Sequence, residues 1–321
     1  MNGPTPHRIA TVGLASWDDL LVLDRFPVPG SAEIVRAEAA QSGGTTANVA
    51  AALARLGVAV TFAGMVGDDD RGRRLRSDLE ADGVDVRHLT TRPGEPTDAS
   101  VLLVSGTPPA VERTILWRQG ARLRRGDFLP IEKLFAHDLV VVDVDDLTLR
   151  RLLVDLPMHV SPRTRLLGPL TYLIETSPEV GLDLALRHDY VVGNEAEFLY
   201  LTETASLDDA VTAFREQLPL SQTRFAVISR GARGCVLIGR DWEHVAPAFA
   251  VDSVDTTGAG DAFAAAVALG IVERRAPDAL CRFANAVGAL ATRALGARAG
   301  LPTRDEAEAF GREARLLEVE G

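Results

Sequence analysis

Between residues 134 and 229, short apolar runs alternate with helical stretches, and that alternation restricts the fold more than any other feature. Strands are expected at 139–144, 166–170, 190–192 and 225–229, with helices around 147–156, 178–186 and 206–217 between them. Unbroken Val, Ile and Leu runs suit strands covered on both faces. Successive β-α units close through right-handed crossovers, so the expected class is α/β, a doubly wound, mostly parallel sheet flanked by helices. The rhythm also holds earlier, with strands at 8–14 and 58–66 and helices at 49–57 and 71–81. Helices at 261–271, 277–294 and 303–316 are expected to close the chain.

Two stretches break the rhythm. Residues 19–40 read as strand, turn, strand and are too short for a helical crossover. Residues 97–120 hold two β-rich runs, 99–104 and 113–117, joined through Gly106-Thr107-Pro108-Pro109. Together they are expected to form a small antiparallel sheet inserted at two places, a lid over a ligand crevice. The expectation is therefore one domain over residues 1–321.

Charge narrows the function classes. At −11, the chain is not expected to take nucleic acid or an anionic membrane as its main partner. Lys133 is the sole lysine among 34 Lys and Arg residues, so a G-x-x-x-x-G-K-[ST] phosphate loop is impossible. Any phosphoryl transfer must use backbone, arginine and metal. Cys235 and Cys281 lack metal spacing and are expected to be reduced core residues. Neither a basic head with an apolar run nor a stretch of about 18 apolar residues occurs, so a cytoplasmic protein is expected.

The stretch Asp255-Thr256-Thr257-Gly258-Ala259-Gly260-Asp261-Ala262-Phe263 leads into an Ala-rich run. Glycines let the backbone turn sharply, and the first N–H groups of the following helix lack partners, which makes an anion hole. Asp261, in that first turn, stands where a base would face a substrate hydroxyl. Taken alone, the stretch equally suits a capped helix start. Other motifs also fall after strands or before helices: Gly43-Gly44-x-x-Ala47-Asn48, Asn194-x-x-Glu197 and Ser229-x-Gly231-x-x-Gly234. The run Asp68-Asp69-Asp70 reads as a helix cap rather than a metal site.

In order and spacing these motifs resemble the ribokinase-like carbohydrate kinase family (the PfkB family), from Gly13 to Pro302. The resemblance implies a ribokinase-like fold and ATP-dependent phosphorylation of a primary hydroxyl on a small sugar or sugar acid. It implies that Asp261 is the general base and that the N–H groups of Gly258, Ala259 and Gly260 form the anion hole. Glu197 and Asn194 match groups that orient Mg2+, through water, and the ATP phosphates. Ser229, Gly231 and Gly234 match the loop under the nucleotide, and Asn285 a position near its base or ribose. Asp18, Gly43, Gly44 and Asn48 match residues that bind substrate hydroxyls, with Asp143 a further candidate and Asp145 its alternative. Asp255, Thr257, Ala291, Ala294, Gly296 and Gly300 match a K+ site used by some members.

One departure bears on the substrate. Where ribokinase proper has Gly-Gly-Lys-Gly-Ala-Asn, Thr45 and Thr46 replace Lys-Gly here, so ribose itself is not implied. Trp117 stands where it could stack on a sugar or lie in the core. A nucleoside kinase of the same family, or a non-catalytic sugar- or nucleotide-binding sensor, are the alternatives. A dinucleotide oxidoreductase is disfavoured because no G-x-G-x-x-G follows the first strand. A homodimer through the lid is a further expectation.

Overall fold

The computed structural model describes residues 7–106, 112–156 and 164–317. In chain order the strands are β1 (Arg8–Gly13), β2 (Ser16–Leu23), β3 (Val35–Gly43), β4 (Ala59–Gly67), β5 (Asp85–Arg92), β6 (Ala99–Ser105) and β7 (Glu112–Arg118). They continue with β8 (Leu139–Asp143), β9 (Arg165–Pro169), β10 (Tyr190–Asn194), β11 (Phe225–Ser229), β12 (Cys235–Gly239) and β13 (Glu243–Ala246). The helices used below are α1 (Thr45–Arg55), α2 (Asp70–Ala81), α3 (Ile131–Leu134), α4 (Leu147–Asp155), α5 (Pro178–Ala185) and α6 (Glu195–Thr202). After α7 (Leu207–Gln217) the chain adds α8 (Ala259–Val272), α9 (Pro277–Ala291) and α10 (Arg304–Glu313).

The larger sheet has nine strands in the order β13-β12-β11-β10-β9-β8-β1-β4-β5. From β11 to β5 every pairing is parallel, and β12 and β13 add an antiparallel edge. The doubly wound sheet read from the alternation is therefore present. The reason is visible in β8, Leu-Val-Val-Val-Asp, in which every residue is buried because helices cover both faces. On one face α1, α8 and α9 pack together around Leu53, Val267 and Val287. Helix α8 is apolar nearly all round and buries Ala262 to Gly270, so its small side chains let it lie close on the sheet.

β1 sits between β8 and β4, so the connections leave it in opposite directions. A crevice opens at such a point, outside the carboxyl ends of the strands. Those ends are Gly13 and Asp143, paired in register.

The smaller sheet runs β3-β2-β6-β7. Its two outer pairings are antiparallel, as expected, while β2 and β6 pair parallel between them, from Trp17↔Ala99 to Leu23↔Ser105. Both strands start from the same place, where the Trp17 N–H donates to the Asp98 carbonyl at 2.8 Å. Starting together, they run outward in the same direction. β2 also begins at Ser16 and β3 ends at Gly43, so the excursion reaches further into the crevice at both ends than 19–40. The turn residues Thr107–Pro109 lie outside the described residues. Asp69 caps α2 by accepting from the Gly72 N–H at 2.9 Å, as read for the acidic run. Cys235 and Cys281 are buried and free. Among the described residues, no helix is long and apolar enough to cross a membrane.

Candidate active site

The Asp255–Phe263 stretch folds as a strapped turn. Asp255 Oδ1 accepts from the N–H of Thr257 at 2.9 Å and from its hydroxyl at 2.8 Å, while Oδ2 accepts from the Gly296 N–H at 2.7 Å. Gly258 then takes the left-handed conformation (φ 74°) and caps α8. A Cβ there would lie 2.6 Å from the Ala297 Cβ, so a side chain is excluded by packing as well as by backbone angle. The Ala259 N–H differs from the implied anion hole, because it donates within the turn to the Thr256 carbonyl at 3.2 Å. The N–H groups of Gly258, Gly260 and Asp261 have no hydrogen-bond partner among the described residues. Around Gly260 no atom lies within 4 Å of a built Cβ, so that side of the turn is open.

Asp261 opens onto this space, half-buried at the start of α8. Its Oδ2 accepts from Asn48 Nδ2 at 2.9 Å, and the residue lines the crevice. Burial pushes its carboxyl up to about 7, and the Asp143 and Asp18 charges add to that, while the Asn48 hydrogen bond and Arg113 oppose it. A carboxylate with that proton affinity is suited to take a proton from a hydroxyl near neutral pH.

The glycine pair before α1 is required by close approach. Gly44 has φ 90°, and a Cβ on it would lie 2.7 Å from the Ser16 nitrogen. A Cβ on Gly43 would lie 2.0 Å from Asp18 Oδ2. The β2–β3 register, Ser16↔Gly43 and Asp18↔Gln41, thus places the Asp18 carboxylate directly over the glycine pair. Asp18 is buried, which raises it to about 6 against the lowering charge of Arg298. Asn48 is reached from the other side, its Oδ1 accepting from Arg298 Nε at 3.0 Å. Arg298 was not among the residues singled out from the sequence. A lone arginine between Gly296 and Gly300, in an otherwise Ala- and Gly-rich loop, was the available signal.

Asp143 proves to be tied up. Its Oδ1 accepts from Arg150 Nη1 at 3.0 Å and its Oδ2 from the Thr45 hydroxyl at 3.1 Å, and it is 1% exposed. Burial lifts it to about 6 in spite of Arg150, whose side chain is itself fully buried. Thr45, where ribokinase proper carries lysine, lines the crevice together with Asp143. Asp145 is held by Arg122.

At the end of β10, Asn194 and Glu197 form a capping box on α6. Asn194 Oδ1 accepts from the Glu197 N–H at 2.9 Å, and Glu197 Oε2 accepts from the Asn194 N–H at 2.7 Å. Glu197 retains Oε1, and burial pushes its carboxyl up to about 7. One small cavity is lined by Asn194, Glu197, Ser229, Gly260, Asp261 and Asp143, drawn from four separate stretches of chain. Gly231 is not among the residues lining this cavity and has open space about its Cβ position. Gly234 instead packs against the Ala246 carbonyl, 2.0 Å from its Cβ position, and Asn285 Nδ2 donates to the Pro247 carbonyl at 2.9 Å. Those two residues hold the β13 end against α9.

The loop after α9 meets the turn from below. A Cβ on Gly300 would lie 2.4 Å from the Ala291 carbonyl oxygen, and Gly296 is anchored on Asp255. Ala294 lies half-buried in the same loop, and Thr257 is buried in the turn. A larger cavity, at the opposite ends of the strands around His7, Phe135, Tyr190 and Arg224, gathers none of these motif residues.

Residues 7–304 match the model of the pfkB family carbohydrate kinases. The chain is 29% identical to the ribokinase of Bacillus subtilis, over 94% of this chain and 98% of that one. It is 30% identical to an ATP-dependent ribose-1-phosphate kinase of Halopiger xanaduensis, over 94% and 97%. The ribokinase of Arabidopsis thaliana complexed with ribose and ATP superposes with a TM-score of 0.82 at 22% identity, covering 96% of this chain and 99% of that one. With the doubly wound sheet, the smaller four-stranded sheet and the family model matched along nearly the whole chain, the protein belongs to the pfkB family of carbohydrate kinases.

Proposed function

We propose that the protein transfers the γ-phosphoryl group of ATP to a primary hydroxyl of a small sugar or sugar acid. The observation that carries this is the meeting of Asp261, Gly260, Asn194, Glu197 and Ser229 on one cavity. In this reading the acceptor lies between Asp18, the Gly43–Gly44 pair and Asn48, under the smaller sheet. ATP enters over Ser229 and Gly231 with its γ-phosphate at the open side of the turn. Asp261 Oδ1 takes the proton as the acceptor oxygen attacks. The Gly258, Gly260 and Asp261 N–H groups, aimed along the start of α8, stabilise charge on the transferred group.

Glu197 Oε1 and the Asn194 region suit hydrated Mg2+, which binds through few carboxylates and keeps several waters. When bound, Mg2+ neutralises phosphate charge. The Ala291 carbonyl, bared at Gly300 where a side chain would cover it, suits K+ beside the turn, with Asp255, Thr257, Ala294 and Gly296 around it. The remaining family positions, Gly234 and Asn285, support the nucleotide loop by packing. Asp143 acts through its charge on Asp261 and through Thr45. We read residues 1–321 as one working unit, with the smaller sheet as its lid.

The acceptor class favours a sugar over a nucleoside. Trp17 is buried with its indole N–H bonded to Asp19 at 2.9 Å, and Trp117 carries the Arg122 guanidinium 3.8 Å from its ring centre. The deciding experiment measures ATP consumption over pentoses, hexoses, keto-deoxy acids, ribose 1-phosphate and nucleosides, with and without K+. Turnover on a sugar or sugar acid supports the proposal. Turnover confined to nucleosides overturns the acceptor class, and ATP turnover with none of them would revive a binding-only role.

A further inference from the structure

Arg298 touches Asn48 but stands outside the motifs read from the sequence. We propose that Arg298 is a positioning residue for the base: its guanidinium orients the Asn48 amide, and that amide orients Asp261. This rests on the reading of Asp261 as general base.

A guanidinium only donates hydrogen bonds, so the Asn48 atom facing Arg298 Nε at 3.0 Å must be the oxygen. The amide nitrogen is thereby turned to Asp261 Oδ2, at 2.9 Å. A flipped amide would set oxygen against carboxylate and NH2 against guanidinium, losing both bonds. With Oδ2 engaged, Oδ1 is the oxygen left to accept a proton.

Arg298 is itself held. Nη1 reaches Asp82 Oδ2 at 3.4 Å beyond the end of α2, and the side chain is 13% exposed. Its loop is anchored by the Gly296 N–H on Asp255, the residue that straps the turn carrying Asp261. The acids facing it are Asp18 from β2, Asp78 and Asp82 from α2 and its cap, and Asp261 from α8. Asp261 in turn is faced by Asn48 of α1, Asp143 of β8, Asp18 of β2 and Arg113 of β7. One guanidinium among four carboxylates is a poor receptor for an anionic substituent and a suitable brace for neutral and carboxylate partners. Nη2 is buried without a hydrogen-bond partner among the described residues, so the brace uses Nε and Nη1.

The test is a double-mutant cycle of R298M, N48A and R298M/N48A, measured on the best acceptor from the screen above. R298M is expected to lower kcat on the order of 10- to 100-fold, the scale of a misplaced catalytic group, with nucleotide Kd unchanged. In the N48A background the same change should cost less than twofold, because Arg298 acts through Asn48. The acid limb of the R298M pH profile should move to higher pH, since a positive charge facing the acids is gone. Additive effects, or an R298M kcat within twofold of the parent, overturn the proposal. If R298M does not fold, R298K serves in the same cycle, keeping the charge but not the planar fork. A readout free of turnover is the Asn48 side-chain NH2 resonance, assigned by its loss in N48A. It should shift in R298M, and an unmoved resonance overturns the proposal even if no acceptor is found, an outcome that would by itself count only against the kinase reading.

Discussion

Asn48 Nδ2 lies 2.9 Å from Asp261 Oδ2, joining two residues 213 positions apart at the floor of the crevice. Neither residue has a site without the other. α1 supplies the amide because Gly44 starts it where β3 ends, and α8 supplies the carboxylate because Gly258 starts it beside Ala297. The packing of α1 on α8 through small side chains sets the distance between them.

Asp261→Asn should lower kcat by roughly 10²- to 10⁴-fold, the usual contribution of general base catalysis, with ATP affinity nearly unchanged. Steady-state kinetics beside nucleotide titration checks this. An activity within tenfold of the parent removes Asp261 as the base.

The same substitution should stabilise the fold at pH 8. The folded-state carboxyl is raised to about 7 from an ordinary value of 3.8, so the native protein binds this proton more tightly than the unfolded chain. Such a group favours folding at low pH, and that contribution fades as pH rises from about 4 to about 7. Above pH 7 the ionised, desolvated carboxylate is a cost that the amide removes, on the order of 1–3 kcal/mol. Thermal melts at pH 8 should show Asp261→Asn a few degrees above the parent, with the gap narrowing as pH approaches 5.

For the parent, kcat/KM should rise with pH through an acid limb near 7, because the base works only when ionised. A pH–rate profile on the best acceptor reads the limb directly. A limb near the ordinary carboxylate value would show that another group limits the reaction.

Two glycines of the turn should respond in opposite ways. Gly260→Ala meets open space, so its melting temperature should match the parent while kcat falls, the methyl group occupying the phosphoryl approach. Gly258→Ala meets Ala297 at φ 74° and should cost stability, about 1 kcal/mol or more. Melts and kinetics on the pair separate packing from chemistry.

Arg150→Met should destabilise by about 3–5 kcal/mol, because it leaves the buried Asp143 carboxyl without its guanidinium partner. Denaturant unfolding measures the loss. The variant should recover part of it at pH 5, where Asp143 can take up a proton.

Much of this was legible before any coordinates. Apolar runs such as Val140–Val142 declare themselves as buried strands, and a Gly-x-Gly-Asp start to an Ala-rich helix declares an open turn with free N–H groups. These are local signals, set by backbone sterics and by side-chain periodicity over a few residues. The parallel β2–β6 pairing was not legible, since strand direction depends on where two distant excursions leave the larger sheet. Nor was the engagement of Asp143 with Arg150 and Thr45, or of Ala259 within its turn. Motif spacing identifies residue types, while hydrogen-bond partners are chosen by what packs nearby.

By itself, then, the chain's order of residues determined the doubly wound sheet, the strands of the smaller sheet, the turn at Gly258–Asp261 and the family. Tertiary structure alone decided which groups surround Asp261. Burial among Asn48, Asp143 and Asp18 raises its proton affinity toward neutrality, and Arg298 arrives from a loop 250 positions beyond Asn48 to face that amide. The reason is physical: electrostatic and hydrogen-bond environments are sums over neighbours in space, and a linear order of residues does not name those neighbours.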